Sequence, residues 1–509
     1  MLPNRRFSFV FLLWTATNAL RPTSCRSPRQ IRSVPSAATA SGRFAGKWPR
    51  QTPTARFTAT TANLDAAKND DANSDGGSSV AAATFSLIKA IVGSGCLALP
   101  AGVAAVSNYP SALIPANVLM VVLGTMSAYT FTLYGRLTHA TQANSLGDLW
   151  KKIYKSESST IVSLANFVYC FGCCLTFNLI IGDMLSSLAT AGGLSGLWAS
   201  RQAAILAVTA TTLVPLCNLQ SLASLAPVSI IGVLGTVVST LFLAWRCPEI
   251  VPSSPYAKVG KGMLASIPSA MQPQFKTYSR LQTPAPLILI AMACVSFMAH
   301  FSAPDFYRSL AGKNVDQRKT EKTMAKFNTM TVAGYVVVGT INALTLTFGF
   351  LTFGGNSAGV VLNNYANADI GASVSRLLVA ISVIGGFPFL FSACRSAALD
   401  LFAKKGQTVT RATETRYTSV LLAILTAIAL VIKDAGFVVS FNGALMGTAL
   451  IYIFPTLLFL KQSAGSTTKS TRLSLERAFC KFLVGFGVVS SLIGGATSVM
   501  NSYFPHLLR

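Results

Sequence analysis

The chain has 509 residues, of which 51% are hydrophobic and only 11% charged, with a formal net charge of +25. So apolar a composition, set out in long uncharged runs from Thr84 onward, is that of a polytopic membrane protein whose surroundings are a lipid bilayer. The positive charge is spread over the leader and the loops and no soluble basic domain carries a groove, so nucleic acid is excluded as a partner.

Residues 1–83 read as a leader and linker outside the fold. Arg5 and Arg6 precede a short apolar run, Phe7–Trp14, which cannot span, and Thr17-Asn18-Ala19 offers small residues for signal cleavage. From Leu20 to Asn63 the chain is rich in Ser, Thr, Ala, Pro and Arg and has no acid before Asp65, which is transit-peptide composition. A signal-like segment (1–19) followed by a transit-like one (20–63) resembles the two-part leaders of algae whose plastids lie within extra membranes. Those leaders often show Phe where Leu20 stands here. A mitochondrial address and an ordinary signal followed by a disordered tail are the alternatives. Asp65–Ser79 is expected to be a solvated linker.

Apolar segments follow at Thr84–Ser107, Ser111–Gly135, Ser159–Thr190, Gln202–Cys217, Leu222–Trp245, Pro286–Leu310, Phe327–Phe353, Ile370–Phe402, Thr418–Ile432, Gly436–Leu460 and Phe479–Met500. These predict about eleven membrane helices and an all-α fold over 84–503. Basic residues cluster after the second, sixth, eighth and tenth segments (Lys151 and Lys152; Lys313, Arg318 and Lys319; Lys404 and Lys405; Lys469 and Arg472). All four loops fall on one side of the membrane if the spans number eleven, which places the N-terminus on that side and the C-terminus opposite. Most of the ten cysteines sit inside apolar segments, where a thiol behaves as a small hydrophobe. Cys170, Cys173 and Cys174 have no histidine or acid beside them, so neither a metal nor a cofactor is expected.

The first span, TFSLIKAIVGSGCLALPAGVAAVS, carries Gly93-Ser94-Gly95 at its middle and Pro100 beyond. These residues are poor helix interior, and backbone groups freed at membrane depth persist only where a cavity, a ligand or other protein receives them. The sixth span repeats the feature with His300, Ser302 and Pro304, which predicts a break or kink near Ala299–Pro304. Spans one and six are the first members of two five-span halves. Interrupted segments at matching places point to an inverted-repeat transporter with its site at the repeat interface, the eleventh span being an addition.

Six stretches carry a family resemblance in the right order. LIKAIVGSGCLALPAG looks like the opening signature of the amino acid/auxin permease family, and FNLIIGDML (Phe177–Leu185) is similar to its third helix. AHFSAPDFYRSL (Ala299–Leu310) is similar to its sixth, and GFLTFGGN with LNNYA (Gly349–Ala366) to its seventh and the loop after it. FPFLFSACRSAALDLF (Phe387–Phe402) and FNGALMGTALIYIFPTLLFL (Phe441–Leu460) resemble the eighth and tenth. The family includes vacuolar, proton-coupled and sodium-coupled amino acid transporters. The resemblance implies eleven helices, a leucine-transporter-like architecture and secondary transport of amino acids.

A zwitterionic amino acid needs donors for its carboxylate and acceptors for its ammonium, and broken helices supply both. Ile91, Gly93, Ser94, Gly95 and Cys96 are the candidate substrate contacts in span one, with Phe297, His300 and Ser302 shaping the pocket in span six. Lys89 lies about a turn before the first break. It is either a functional intramembrane cation or a residue snorkelling to the interface. The resemblance aligns it with an asparagine in sodium-coupled relatives and a lysine in proton-coupled ones, while Phe85 and Ser86 stand where the latter carry a histidine. In span eight, Val383 to Gly386 (VIGG), just after Ser382, stands where sodium-coupled relatives tend to offer a threonine hydroxyl. Lys89, His300, Ser382 and Gly386 are therefore the ion-coupling candidates, with H+ favoured over Na+. His300 either carries the coupled proton or is satisfied by a neighbouring carbonyl.

Asp183 raises an intramembrane aspartyl protease, but that chemistry needs a GxGD turn and position 180 is Ile; no HExxH or GxSxG occurs either. The rival outside transport is an amino-acid-sensing receptor on a transporter scaffold, and within transport another small metabolite is the alternative cargo.

Overall fold

The structure, a computed structural model, describes residues 78–155, 158–219, 226–258, 261–312, 321–402, 410–465 and 470–508. The leader up to residue 77, the start of the fifth span at Leu222, and Lys313, Arg318, Lys319, Lys404, Lys405 and Lys469 lie outside these residues.

Among the described residues every regular element is helical. The first span is made of α1 (Val80–Ile91) and α2 (Leu99–Val106), the second is α3 (Leu113–Thr141), and α4 (Leu146–Tyr154) is a short connector. Then come α5 (Ser159–Ala191), α6 (Arg201–Cys217) and α7 (Ala226–Arg246). The sixth span is α8 (Pro286–Ser296) and α9 (Ala303–Ala311). It is followed by α10 (Glu321–Phe353), α11 (Ile370–Phe402), α12 (Arg411–Val431), α13 (Ala435–Ala464) and α14 (Thr471–Tyr503). Eight spans pass on length and hydropathy alone; the bent pair α1 and α2 and the two shorter apolar helices α6 and α7 occupy the remaining expected places.

Helices begin where a short polar side chain can accept an orphan N–H. Ser79 accepts from Ala82, and for that reason the first span starts at Val80 rather than Thr84. Ser145, Ser200 and Thr410 do the same for α4, α6 and α12. The connector α4 was read from sequence only as a basic loop. Leu146, Leu149 and Trp150 form its buried face while Lys151 and Lys152 face solvent, and Trp150 stacks on Tyr154 at 4.6 Å with its edge toward Phe454 of α13. The lipid face is equally periodic. On α7, Ile230, Leu234, Val238, Leu241 and Trp245 are exposed at helical spacing.

One buried ion pair fixes the start of α11. Asp369, fully buried, accepts from Arg246 at 2.8 and 2.9 Å, from the Tyr256 hydroxyl at 3.1 Å and from the Gly371 N–H at 2.9 Å. Burial, and after it the neighbouring carboxylate, pushes the Tyr256 phenol above its ordinary range, so it remains a donor. One turn and a half along α11, fully buried Arg376 donates to the carbonyls of Leu362 and Tyr365 and to Asn367 Oδ1, clamping the connector from α10. Asp183 at the end of the third span pairs with Arg201 at 2.6 Å and accepts from Asn363 at 2.9 Å.

Removing one member of a buried pair strands the other. Arg246→Ala should therefore cost about 3–5 kcal/mol, read as a lower unfolding midpoint of the detergent-solubilised protein. Adding Asp369→Asn to Arg246→Ala should recover part of the loss.

Candidate functional site

The first interruption is built from extended backbone. α1 closes with the Val92 N–H on the Ile88 carbonyl at 2.7 Å, after which Val92 (φ −69°, ψ 108°) and Gly93 (φ −149°, ψ −161°) run extended. A 3₁₀ turn over Ser94–Ala98 leads into α2, and the two halves of the span are bent by 44°. Pro100 lies in the first turn of α2, where its missing N–H has no helical partner to lose, so it starts the second half instead of breaking it. The Cys96 thiol donates to the Gly93 carbonyl at 3.1 Å. Lys89 sits half-buried in the last turn of α1, where the carbonyl end of a helix favours a cation.

The second interruption touches the first. A Cβ on Gly95 would lie 3.4 Å from Ser296 Oγ and 3.5 Å from Val295 Cγ1, so α8 ends against the first gap. Phe297 (φ −111°, ψ 10°) and Ala299 (φ −143°, ψ 5°) leave helical geometry, a 3₁₀ turn covers His300–Ser302, and α9 restarts with Pro304 in its first turn. The break expected near Ala299–Pro304 thus falls just before the proline, at Phe297–Ala299.

The carbonyls freed there are taken by side chains. Asn342 Nδ2 donates to Ser296 O at 3.2 Å and the Tyr335 hydroxyl to Phe297 O at 3.2 Å, both from α10. Ser302 Oγ and N–H both donate to Ala299 O, at 2.7 and 3.0 Å. The same straight helix packs Gly334 on Leu87 of α1 and Gly349 on Pro100 of α2, so it runs along both halves of the first span. The Phe297 ring lies over Gly124 of α3 and stacks on Tyr335 at 6.3 Å between centroids. His300 is fully buried, with Nε2 at 3.0 Å from both the Ser127 carbonyl and Thr130 Oγ1 of α3.

The structure therefore brings Gly95 together with Ser296, with Ile91, Gly93 and Cys96 at the same gap and Ser94 in its turn. Phe297 and His300 are instead seated on α3, and Ser302 bonds its own backbone. Of the remaining ion-coupling candidates, Ser382 lies against Gly232 of α7 and Gly386 against Phe177 of α5. Sequence reasoning passed over Tyr335 and Asn342. Their signal was a pair of polar-tipped residues seven apart, on one face of a long apolar helix.

A cavity of about 250 Å³ opens toward the side on which α8 begins. Ala101 and Ala105 of α2, Met292 of α8 and the charged groups of Arg280 and Asp434 line it. Met292 precedes Ser296 by four residues, about 6 Å of helix. The cavity floor is therefore separated from the paired interruptions by one turn.

Residues 76–500 match the transmembrane amino acid transporter protein family. A zebrafish (Danio rerio) protein provisionally named sodium-coupled neutral amino acid transporter 11 is 24% identical to this chain, over 86% of this chain and 89% of its own length. Its mouse (Mus musculus) namesake is 25% identical over 84% and 86%. Amino acid transporter AVT6C of Arabidopsis thaliana is 22% identical over 83% and 94%. Among solved structures, MhsT in complex with L-phenylalanine overlays with a TM-score of 0.45 at 11% identity, over 82% of this chain and 96% of that one.

Asn342→Leu would leave the Ser296 carbonyl without its donor in a buried site, a cost of about 1–3 kcal/mol. We expect it to lower the initial rate of substrate uptake by about tenfold, the rate equivalent of about 1.4 kcal/mol, at unchanged membrane abundance measured by immunoblot. Asn342→Gln, which keeps an amide donor, should recover part of the rate.

Proposed function

The chain belongs to the transmembrane amino acid transporter family, and on that premise we propose that it is a secondary transporter of neutral amino acids working by alternating access. The proposal includes a leucine-transporter-like arrangement of two inverted five-span halves with α14 added. One observation carries it: the interruptions that open the two halves lie against each other at Gly95 and Ser296, a turn below a cavity with polar walls. The N–H groups that begin the second half of span one, around Gly95 and Cys96, suit a carboxylate. Ile91, Gly93 and Ser94 complete that side of the site; across the gap Phe297 and His300 would act from their seats on α3, and Ser302 from its own backbone turn, as walls rather than direct contacts. Because the Ser296 and Phe297 carbonyls already hold one donor each and the Ala299 carbonyl two, an ammonium would use the second lone pairs of Ser296 and Phe297.

Proton coupling, or movement down the substrate gradient alone, is favoured over sodium. The support is Lys89, an ammonium in the last turn of α1 where a bound cation would otherwise face the helix end. Ser382 supplies a hydroxyl on α11 but it lies against α7, and Gly386 supplies none. Sodium coupling is the second reading, because the zebrafish and mouse relatives carry sodium in their names while the Arabidopsis one names no ion. From its leader composition, residues 1–83 would direct the chain to a plastid envelope membrane, and a fluorescent fusion of that segment tests the address.

In liposomes containing the purified protein, labelled neutral L-amino acids should accumulate under an acid-outside gradient with sodium absent. Uptake that requires sodium and ignores pH would transfer the reading to sodium coupling; binding without uptake would favour a receptor.

A further inference from the structure

The hydrogen bonds around His300 fix its tautomer. Its Nε2 is 3.0 Å from the Ser127 carbonyl, and a carbonyl only accepts, so Nε2 carries the hydrogen in the neutral ring. Thr130, whose own hydroxyl donates to backbone carbonyls of Met126 and Ser127, offers a second acceptor to the same N–H at 3.0 Å. Nδ1 is left with an unshared lone pair, fully buried and without a hydrogen-bond partner among the described residues. A buried acceptor left open at the start of a helical restart calls for an occupant.

We propose that Nδ1 of His300 binds the transported proton and does so jointly with the carboxylate of the amino acid, an inference that rests on the proton coupling proposed above. The proton comes from water on the loading side and adds to the Nδ1 lone pair. Nε2–H keeps its bond to Ser127, and the imidazolium returns the proton from Nδ1 to water on the other side. Joint binding follows from the surroundings. The ring is enclosed by Phe131, Tyr134 and Tyr335, at 5.7, 6.2 and 6.3 Å between centroids, and no charged side chain among the described residues acts on it. The ionisable neighbours on the elements packed around it are Tyr134, Tyr335, Tyr452 and Cys294, all neutral in their ordinary protonated forms. An imidazolium there has no counter-ion and is strongly disfavoured. A carboxylate arriving at the gap beside Ser296 supplies one. Each ligand then raises the affinity of the other by the same factor.

The test uses full-length protein in liposomes and whichever of labelled L-alanine, L-leucine, L-phenylalanine and L-glutamine the wild type moves fastest. His300→Gln keeps a donor for Ser127 and loses the titratable nitrogen. Accumulation under the acid-outside gradient should fall by about tenfold, and counterflow exchange without a gradient, weakened by the lost counter-charge, should no longer strengthen as the pH falls. Thr130→Val removes one acceptor from Nε2–H, which bonds more strongly in the imidazolium. The pH midpoint of uptake should therefore move about one unit toward acid. Gradient-driven accumulation by His300→Gln with the wild-type pH profile would overturn the assignment, as would exchange that keeps the wild-type rise toward acid pH in a variant that still elutes as a monodisperse peak. If the wild type itself is sodium-driven and indifferent to pH, the coupling reading fails first and this inference goes with it.

Discussion

The fold depends on one constraint: inside hydrocarbon, every backbone N–H and C=O must find a partner within the protein. Among the described residues two spans are interrupted along their own length, at Val92–Gly93 and at Phe297–Ala299, and so strain that rule. What makes the second break tolerable is α10, a continuous helix of 33 residues whose Tyr335 and Asn342 donate into the loose carbonyl end of α8. Without those two donors the favourable course would be for α8 to continue as ordinary helix through Phe297. The interruption is thus a property of two spans together, held from outside by a third.

Around this centre the charges divide into those that hold and those that could act. Arg246 with Asp369, Arg376 with the 362–367 connector, and Asp183 with Arg201 all tie neighbouring helices or connectors together, each arginine through two or more acceptor atoms, with Arg376 Nε and Arg201 Nη2 left without a hydrogen-bond partner among the described residues. Arg395 does the same on α11 through the Cys217 carbonyl and Thr418. Lys89 differs by its place in the last turn before a gap, and His300 by an acceptor nitrogen that nothing meets. Buried polar groups that are fully used stiffen a structure, whereas those left partly used are where ligands exert leverage.

Much of this was legible in the residues because hydropathy and glycine placement are local signals. Gly93-Ser94-Gly95 marked the first gap, and the eleven segments are all helical where described. The second gap overlaps the expected Ala299–Pro304 but begins two residues earlier, for a physical reason: Pro304 ends up in the first turn of α9, where it is tolerated, and the start of the break is held by Asn342 and Tyr335, 46 and 38 residues away in sequence from the carbonyls they bind. Nine-residue α4 was hidden by its lysines. Nothing in the sequence told which way Phe297 and His300 would turn, because that depends on the room left by Gly124 and on Ser127 and Thr130 of α3. The wide π turns of α6 and α13 likewise leave no mark, since any apolar residue can occupy them.

Those wide turns in α13 have a mechanical meaning. Two successive stretches, Gly443–Gly447 and Ala449–Ile453, bond five residues back instead of four, so each stores one residue more than a regular helix would. Gly443 is pressed against the Ala291 carbonyl of α8, and Asn442 beside it donates to the Tyr169 carbonyl of α5 at 3.1 Å. That anchors one end of the stored slack. Releasing a single residue of it would swing everything beyond, Tyr452 included, through about 100° about the helix axis. A rod of this kind would be reset by a screw motion, turning through a quarter of a circle while advancing only about 1.5 Å along the bilayer normal.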